Sequence, residues 1–290
     1  MERKTFTFLS TKSLLLVLYL FQYCTTSFGQ VVSPMSVRYQ TNAKGSITIL
    51  SNTSITCSGG GCTNAQNELP PNGSGGNHNL TMAYIDTDND ASTYMSSSDS
   101  LILPNCSEVL FAGLYWGARI AANTTNYNNR SSVRLKVNNG AYQTLTADQT
   151  LDVPTINGQS WNHPSYYCFK NITNILGSAG LNARFTVANL VTSTGNNRFG
   201  GWSIVIVYKN VLQSMRNLTV FDGLANVGQN STLNIPFTGF TTPPTGPVSF
   251  ELGIIVFDGD RDLLNDYLQF NGVTVSDGIH SATNFFNSCF

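Results

Sequence analysis

The chain has 290 residues, of which 41% are hydrophobic and 11% aromatic, so it can bury a sizeable core. Only 11% are charged, against about 25% in a typical soluble domain, and Asn, Ser, Thr and Gly take over the solubilising role. The net charge of -1 gives no electrostatic basis for binding nucleic acid or an anionic membrane surface.

The first 29 residues read as a targeting segment. Arg3, Lys4 and Lys12 form a basic start, and an apolar run follows to Tyr23. Ser27 and Gly29 are small residues at the -3 and -1 positions of a cleavage site before Gln30. The apolar run is shorter than the roughly 20 residues of a spanning helix, so no membrane span is expected after cleavage. Cys24 leaves with the segment, and five cysteines remain: Cys57, Cys62, Cys106, Cys168 and Cys289. In an exported chain these can form disulfides. Cys57 and Cys62 enclose Ser-Gly-Gly-Gly and suit a small ring. Cys106 is expected to pair with Cys168, with Cys168 to Cys289 as the alternative, and the odd count leaves one over.

Taken in order, residues 37–39 and 46–56 alternate like half-buried strands. Residues 58–79, rich in Gly, Pro and Asn, read as a long loop. Residues 80–85, 100–103 and 109–116 read as strands, with a turn at 86–90. Residues 133–137 and 142–146 read as a hairpin across Asn138-Asn-Gly140. Residues 152–164 look irregular, 166–169 extended, and 172–176 a helical turn. Residues 183–191 form a strand before the most apolar run, Trp202-Ser-Ile-Val-Ile-Val-Tyr208, which suits a strand covered on both faces. Residues 217–221, 231–235 and 250–257 follow as strands, and 267–270 with 273–275 make a last hairpin over Asn271-Gly272. Helical periodicity is absent, and about a dozen short strands with long loops predict an all-β, jelly-roll-like antiparallel β-sandwich over residues 30–290. The apolar end at Phe290 is expected either to dock as a strand or to mark a chain that continues into further domains, the latter being favoured.

Two aspartate runs carry the sharpest chemistry. Asp86, Asp88 and Asp90 alternate, as do Asp258, Asp260 and Asp262. Alternate carboxylates in a turn can converge on Ca²⁺, which takes six to eight oxygens. Neither run is an EF-hand, because its sixth position is Ala91 or Leu263 and its twelfth is Ser97 or Gln269. The competing reading is a turn in which Asp caps its own backbone. Asp258 and Asp260 also fit the two-carboxylate chemistry of glycoside cleavage. The three histidines, His78, His163 and His280, fall in no metalloprotease pattern, and no nucleophile elbow or phosphate loop is present. Trp161, Tyr166 and Tyr167, beside Asn157, Asn162 and His163, form a candidate sugar-stacking group, weighed against burial in the core.

Five phrases occur in order: Ala112-Gly-Leu-Tyr-Trp-Gly117, Phe185-Thr-Val-Ala-Asn189, Gly200-Gly-Trp-Ser-Ile-Val-Ile-Val-Tyr208, Asn217-Leu-Thr-Val-Phe-Asp-Gly223 and Asp258-Gly-Asp-Arg261. Over residues 36–290 this set resembles the N-terminal region of large secreted surface proteins of gliding, type IX-secreting bacteria. The resemblance implies an adhesin-like or surface-structural role and carries over no catalytic residue; the expected partner of such a module is a surface glycan or polymer, bound through loops at one end. The other function class in view is a carbohydrate-active enzyme using Asp258 and Asp260.

Overall fold

A computed structural model of the chain describes residues 30–59, 62, 76–121, 124–153, 165–228, 231–240, 244–246, 248–260 and 263–287. The expected leader, Trp161, Asp262 and Cys289 lie outside them, as does most of the 58–79 loop. The described chain is mostly β, with 52% strand and one short helix. The strands in chain order are β1 (Gln30–Thr53), β2 (Ile55–Ser58), β3 (Thr81–Tyr84), β4 (Ser96–Ile102), β5 (Ser107–Arg119), β6 (Ser132–Val137), β7 (Gln143–Thr146), β8 (Gln149–Val153) and β9 (Ser165–Asn171). Helix α1 (Thr173–Ala179) precedes β10 (Asn182–Ala188), β11 (Gly200–Asn210), β12 (Met215–Asn226), β13 (Leu268–Phe270) and β14 (Val273–Val275).

Contacts divide the chain into two compact units. The larger covers 38–220 and 240–290. It holds two antiparallel sheets face to face, the expected sandwich. One sheet has the order β12-β1-β11-β5-β9-β8 and is curled into a half-barrel. The other has the order β4-β10-β6-β7. Between them, Trp116, Leu114, Trp202, Ile204, Ile206 and Tyr166 from the first sheet meet Leu101, Leu135, Phe185 and Val187 from the second. Each buried indole has a polar partner: Trp202 Nε1 donates to Ser97 Oγ at 2.8 Å, and Trp116 Nε1 to the Arg130 carbonyl at 3.0 Å. The smaller unit includes residues 30–37 and 221–239, where Phe221 and Phe237 pack their rings 5.0 Å apart.

The most apolar run occupies the place its composition predicts. β11 lies between β1 and β5, with Trp202 opposite Trp116. Its even-numbered residues Trp202, Ile204 and Ile206 face the sandwich interior, while Val205 and Val207 join a second cluster with Phe111, Phe169, Leu218 and Val220 on the other face. Both parities are therefore apolar. The pairing slips by one residue at Val207/Tyr208, where Leu110 of β5 is the extra residue of a bulge. On the outer face, Gly113 and Gly117 leave room for rings. A Cβ at Gly113 would lie 2.8 Å from Phe169, and one at Gly117 would lie 2.6 Å from Tyr167.

Several boundaries differ from the sequence reading. The two strands expected at 37–39 and 46–56 are one 24-residue strand, β1, followed by β2. Gly45 opens the pairing with β11, and a Cβ there would sit 2.0 Å from the Tyr208 carbonyl oxygen. Residues 231–235 and 250–257 join no strand. Pro236, just beyond the first, has no N–H to give a ladder. Residues 248–257 cross the outer face of the larger sheet, with Ile255 in the Phe111 cluster and Gly253 near Ile49. Lying over a face and not beside an edge, this segment meets side chains where a ladder partner would be. β8 has no counterpart among the expected strands, and its last two residues, Asp152 and Val153, fall in the stretch expected to be irregular. Both expected hairpins form, and Asn138, Asn271 and Gly272 adopt the positive φ their turns need.

The Cys57–Cys62 disulfide is present, with Cα atoms 5.6 Å apart. The expected Cys106–Cys168 bond is not formed, and both thiols are free. Cys168 pairs across from Trp116, whereas Cys106 precedes β5 by one residue. Ten residues of strand separate the two levels, roughly 30 Å, and a disulfide spans less than about 7 Å between Cα atoms. Burial pushes the Cys168 thiol up to about 11, which makes it unreactive.

Two glycine substitutions should part in sign. Gly117→Ala drives a methyl into Tyr167 and the Tyr166 carbonyl and is expected to lower stability by about 1–3 kcal/mol. Gly177→Ala, in α1 with open space around it, is expected to raise it by about 0.4–1 kcal/mol. Urea unfolding with an unchanged m-value reads both.

Candidate functional site

At one end of the larger sheet, charged side chains gather from four distant stretches. β5 ends on Arg119, whose parity points it to the outer face with Gly117 and Tyr115. The turn at 76–79 brings Asn77 and His78, the 189–199 loop brings Asn197 and Arg198, and the segment after Phe257 brings Asp258 and Asp260. The 76–79 turn and the loop are tied by backbone bonds: Asn197 N–H donates to the Asn77 carbonyl at 2.8 Å, and Met82 and Gly195 exchange two bonds.

Asn77 holds both carboxylates. Its side-chain Nδ2 donates to Asp258 Oδ1 at 2.9 Å and its backbone N–H to Asp260 Oδ1 at 3.0 Å. Arg119 Nη1 lies 3.5 Å from Asp258 Oδ2 and donates to Asn197 Oδ1 at 2.8 Å. His78 Nδ1 is 4.0 Å from Asp260. Tyr167 makes an apolar wall with Phe257, their rings edge to face at 5.2 Å, and with Phe199 at 6.4 Å. Asp258 has φ 82, a left-handed conformation unusual for a residue with a Cβ. A Cβ on Gly259 would lie 2.1 Å from the Phe286 carbonyl, so the chain here admits only glycine. Burial and the Asp260 charge push Asp258 up to about 6, although Arg119, Asn77 and His78 pull the other way. Its side chain is only 29% exposed.

The first aspartate run is a closed network. Asp88 pairs with Lys136 and accepts from Tyr142 at 2.6 Å and Ser96 Oγ at 2.8 Å. Asp86 competes for the same Ser96 proton at 2.9 Å, and Asp90 caps the Ser92 N–H at 2.9 Å. These donors hold Asp88 well below the usual carboxylate range. The set does not fit Ca²⁺: an ammonium and two hydroxyls already satisfy the central carboxylate. The Arg119 guanidinium lies 3.5 Å from Asp258 and opposes a cation there. Among the described residues no group of three acidic, His or Cys side chains is placed to hold a metal. Asp262 lies outside them.

The aromatic group separates. Tyr166 is fully buried in the sandwich, its hydroxyl donating to the Val191 carbonyl at 2.6 Å. It is a core residue, because even-numbered residues of β9 face inward. Tyr167 points outward and packs on Phe257 and Phe199, leaving no free ring face for a sugar on those sides. The structure thus joins Tyr167 to the aspartates that the sequence treated separately. Asn77, Arg119, Asn197 and Arg198 escaped the sequence reading. The only signal was the positioning of Arg119 and Arg198 at the ends of apolar strands, in a chain with few charges.

Asp258 gives the site a pH signature. Its folded pKa lies above the ordinary 3.8, so the folded state binds the extra proton and stability falls as pH rises from about 4 through about 6. Asp258→Asn is expected to raise the melting temperature at pH 7.5 and to lose that advantage near pH 4, as thermal unfolding across the range would show. Asp88 behaves oppositely: its contribution holds above 3.8 and is lost as pH falls below it. Asp88→Ala is expected to cost about 1.5–3 kcal/mol at neutral pH by urea unfolding. Comparison of the chain with protein-family models, with curated proteins and with solved structures finds no match in any of the three.

Proposed function

We propose that the chain is an exported, non-catalytic β-sandwich module that works at the cell surface, in adhesion or as surface structure. The observation that carries this reading is the Cys57–Cys62 disulfide, which closes a short ring at the end of β2. Disulfides form and persist in oxidising compartments. The sparse charge, the basic and apolar first 29 residues, and the resemblance of residues 36–290 to secreted surface proteins support it. Four of the five phrases behind that resemblance fall on or run just past β5, β10, β11 and β12. They are the apolar signature of a scaffold, which suits a module whose work is to hold a surface and not to turn over a substrate.

One observation favours a second reading, a carbohydrate-active domain. Asp258 is raised to about 6 beside a second carboxylate, Asp260, and a general acid needs such a pKa. Against it, Asn77 and Arg119 already engage these carboxylates.

Two measurements separate the readings. Brief protease treatment of intact producing cells is expected to remove the protein from a surface-labelled blot, and full protection would sink the surface assignment. Incubation with a polysaccharide panel is expected to give retention without new reducing ends. Release of reducing sugar that disappears in both Asp258→Asn and Asp260→Asn would establish the enzyme instead.

A further inference from the structure

Arg198 is 8% exposed, yet its charge has no partner suited to it. Its Nη1 donates to the carbonyl of Asn197, the preceding residue, at 2.9 Å. Among the described residues its Nε has no partner, and no carboxylate pairs with it. Guanidinium groups stay charged in proteins, and proteins pair the charges they bury. The Arg119 charge next to it and the loss of water both act against the cation.

Arg119 repeats the pattern. Its Nε is buried and unpartnered, while Nη1 is used on Asn197 and, more distantly, Asp258. The same asparagine holds both guanidiniums: Asn197 takes Arg119 on its side-chain oxygen and Arg198 on its backbone oxygen. Asn197 is itself buried, at φ 58, and is anchored by its N–H to Asn77. Two like charges are thus fixed near each other, each with an N–H left over.

We propose that Arg119 and Arg198, clamped by Asn197, form a binding site for a small organic carboxylate. A guanidinium offers parallel N–H groups that match the two oxygens of a carboxylate. An anion there relieves the repulsion between the two cations. Asp258 and Asp260 stand beside the two arginines and repel every added anion, a dianionic phosphate more than a monoanionic carboxylate, so the monoanion is favoured. This site does not depend on the cell-surface reading.

The test is calorimetric titration of the purified chain with sodium glucuronate, sodium acetate, glucose and inorganic phosphate at matched ionic strength and pH 7.5. Saturable one-to-one binding of glucuronate or acetate is expected, with none for glucose. Affinity equal for the two carboxylates marks recognition of the carboxylate alone, and a preference for glucuronate marks a sugar acid; either supports the site. Arg198→Met should abolish binding while melting no lower than the parent, because it removes an unpaired buried charge. Should that variant fail to fold, Arg198→Lys keeps the charge without the fork and should weaken binding roughly tenfold or more. No binding of either carboxylate, or undiminished affinity in the Arg198 variants, overturns the site. Phosphate binding more tightly than carboxylate overturns the monoanion assignment.

Discussion

The larger unit depends on one constraint: β11 must be apolar on both faces. Its inward side lies beside Trp116 of the same sheet and meets Phe185 across the sandwich, and its outward side builds a second cluster with Phe111, Phe169 and Leu218. Because the sheet curls, its outer face is itself partly interior, and β5 and β9 inherit the same demand. This is why Gly113 and Gly117 alternate with Leu114 and Trp116: the inward positions fill the core and the outward ones make room for rings. Full burial of such large side chains is worth on the order of 1.5–3 kcal/mol each, and many are buried together.

Polar groups are consequently driven to the strand ends, and there they are used in two ways. Around Asp88 the network is self-sufficient, with acceptors matched to an ammonium and hydroxyls. Around Asp258 it is not. The carboxylates compete with each other, the arginines keep buried N–H groups, and Asp258 holds a left-handed backbone. Strain and imperfect satisfaction are thus concentrated at one end of the sheet.

The sequence reading found what depends on local pattern and missed what depends on distance. The central strand, β5, β9, β10 and both hairpins were legible because alternation and turn chemistry are local. Residues 250–257 carry the same alternation, but pattern alone cannot tell a strand beside an edge from a segment laid over a face. The Cys57–Cys62 ring was legible from a separation of 5 residues, while the Cys106–Cys168 pair failed on a strand length that spacing does not reveal. Asp258 and Asp260 stood out as a run. Their partner Asn77 lies 181 residues from Asp258, and nothing in its own neighbourhood marks it. Tyr166 and Tyr167 looked alike in sequence and differ only by the one-residue parity of β9.

The register of β1 on β11 has a consequence for the order of events in time. Gly45 faces Lys209 and Thr53 faces Gly201, so the second strand of the chain's central pairing is made long after the first. At about 5–20 residues per second of synthesis, the roughly 160 residues between the paired positions take on the order of 8–32 s, and through that interval β1 has no β11 to join. Such non-local pairing also slows folding once the chain is complete. The sandwich interior therefore stays incomplete until its most apolar strand arrives, the last of the strands that fill it. If the chain is exported before it folds, as proposed above, that delay is an asset built into the strand order.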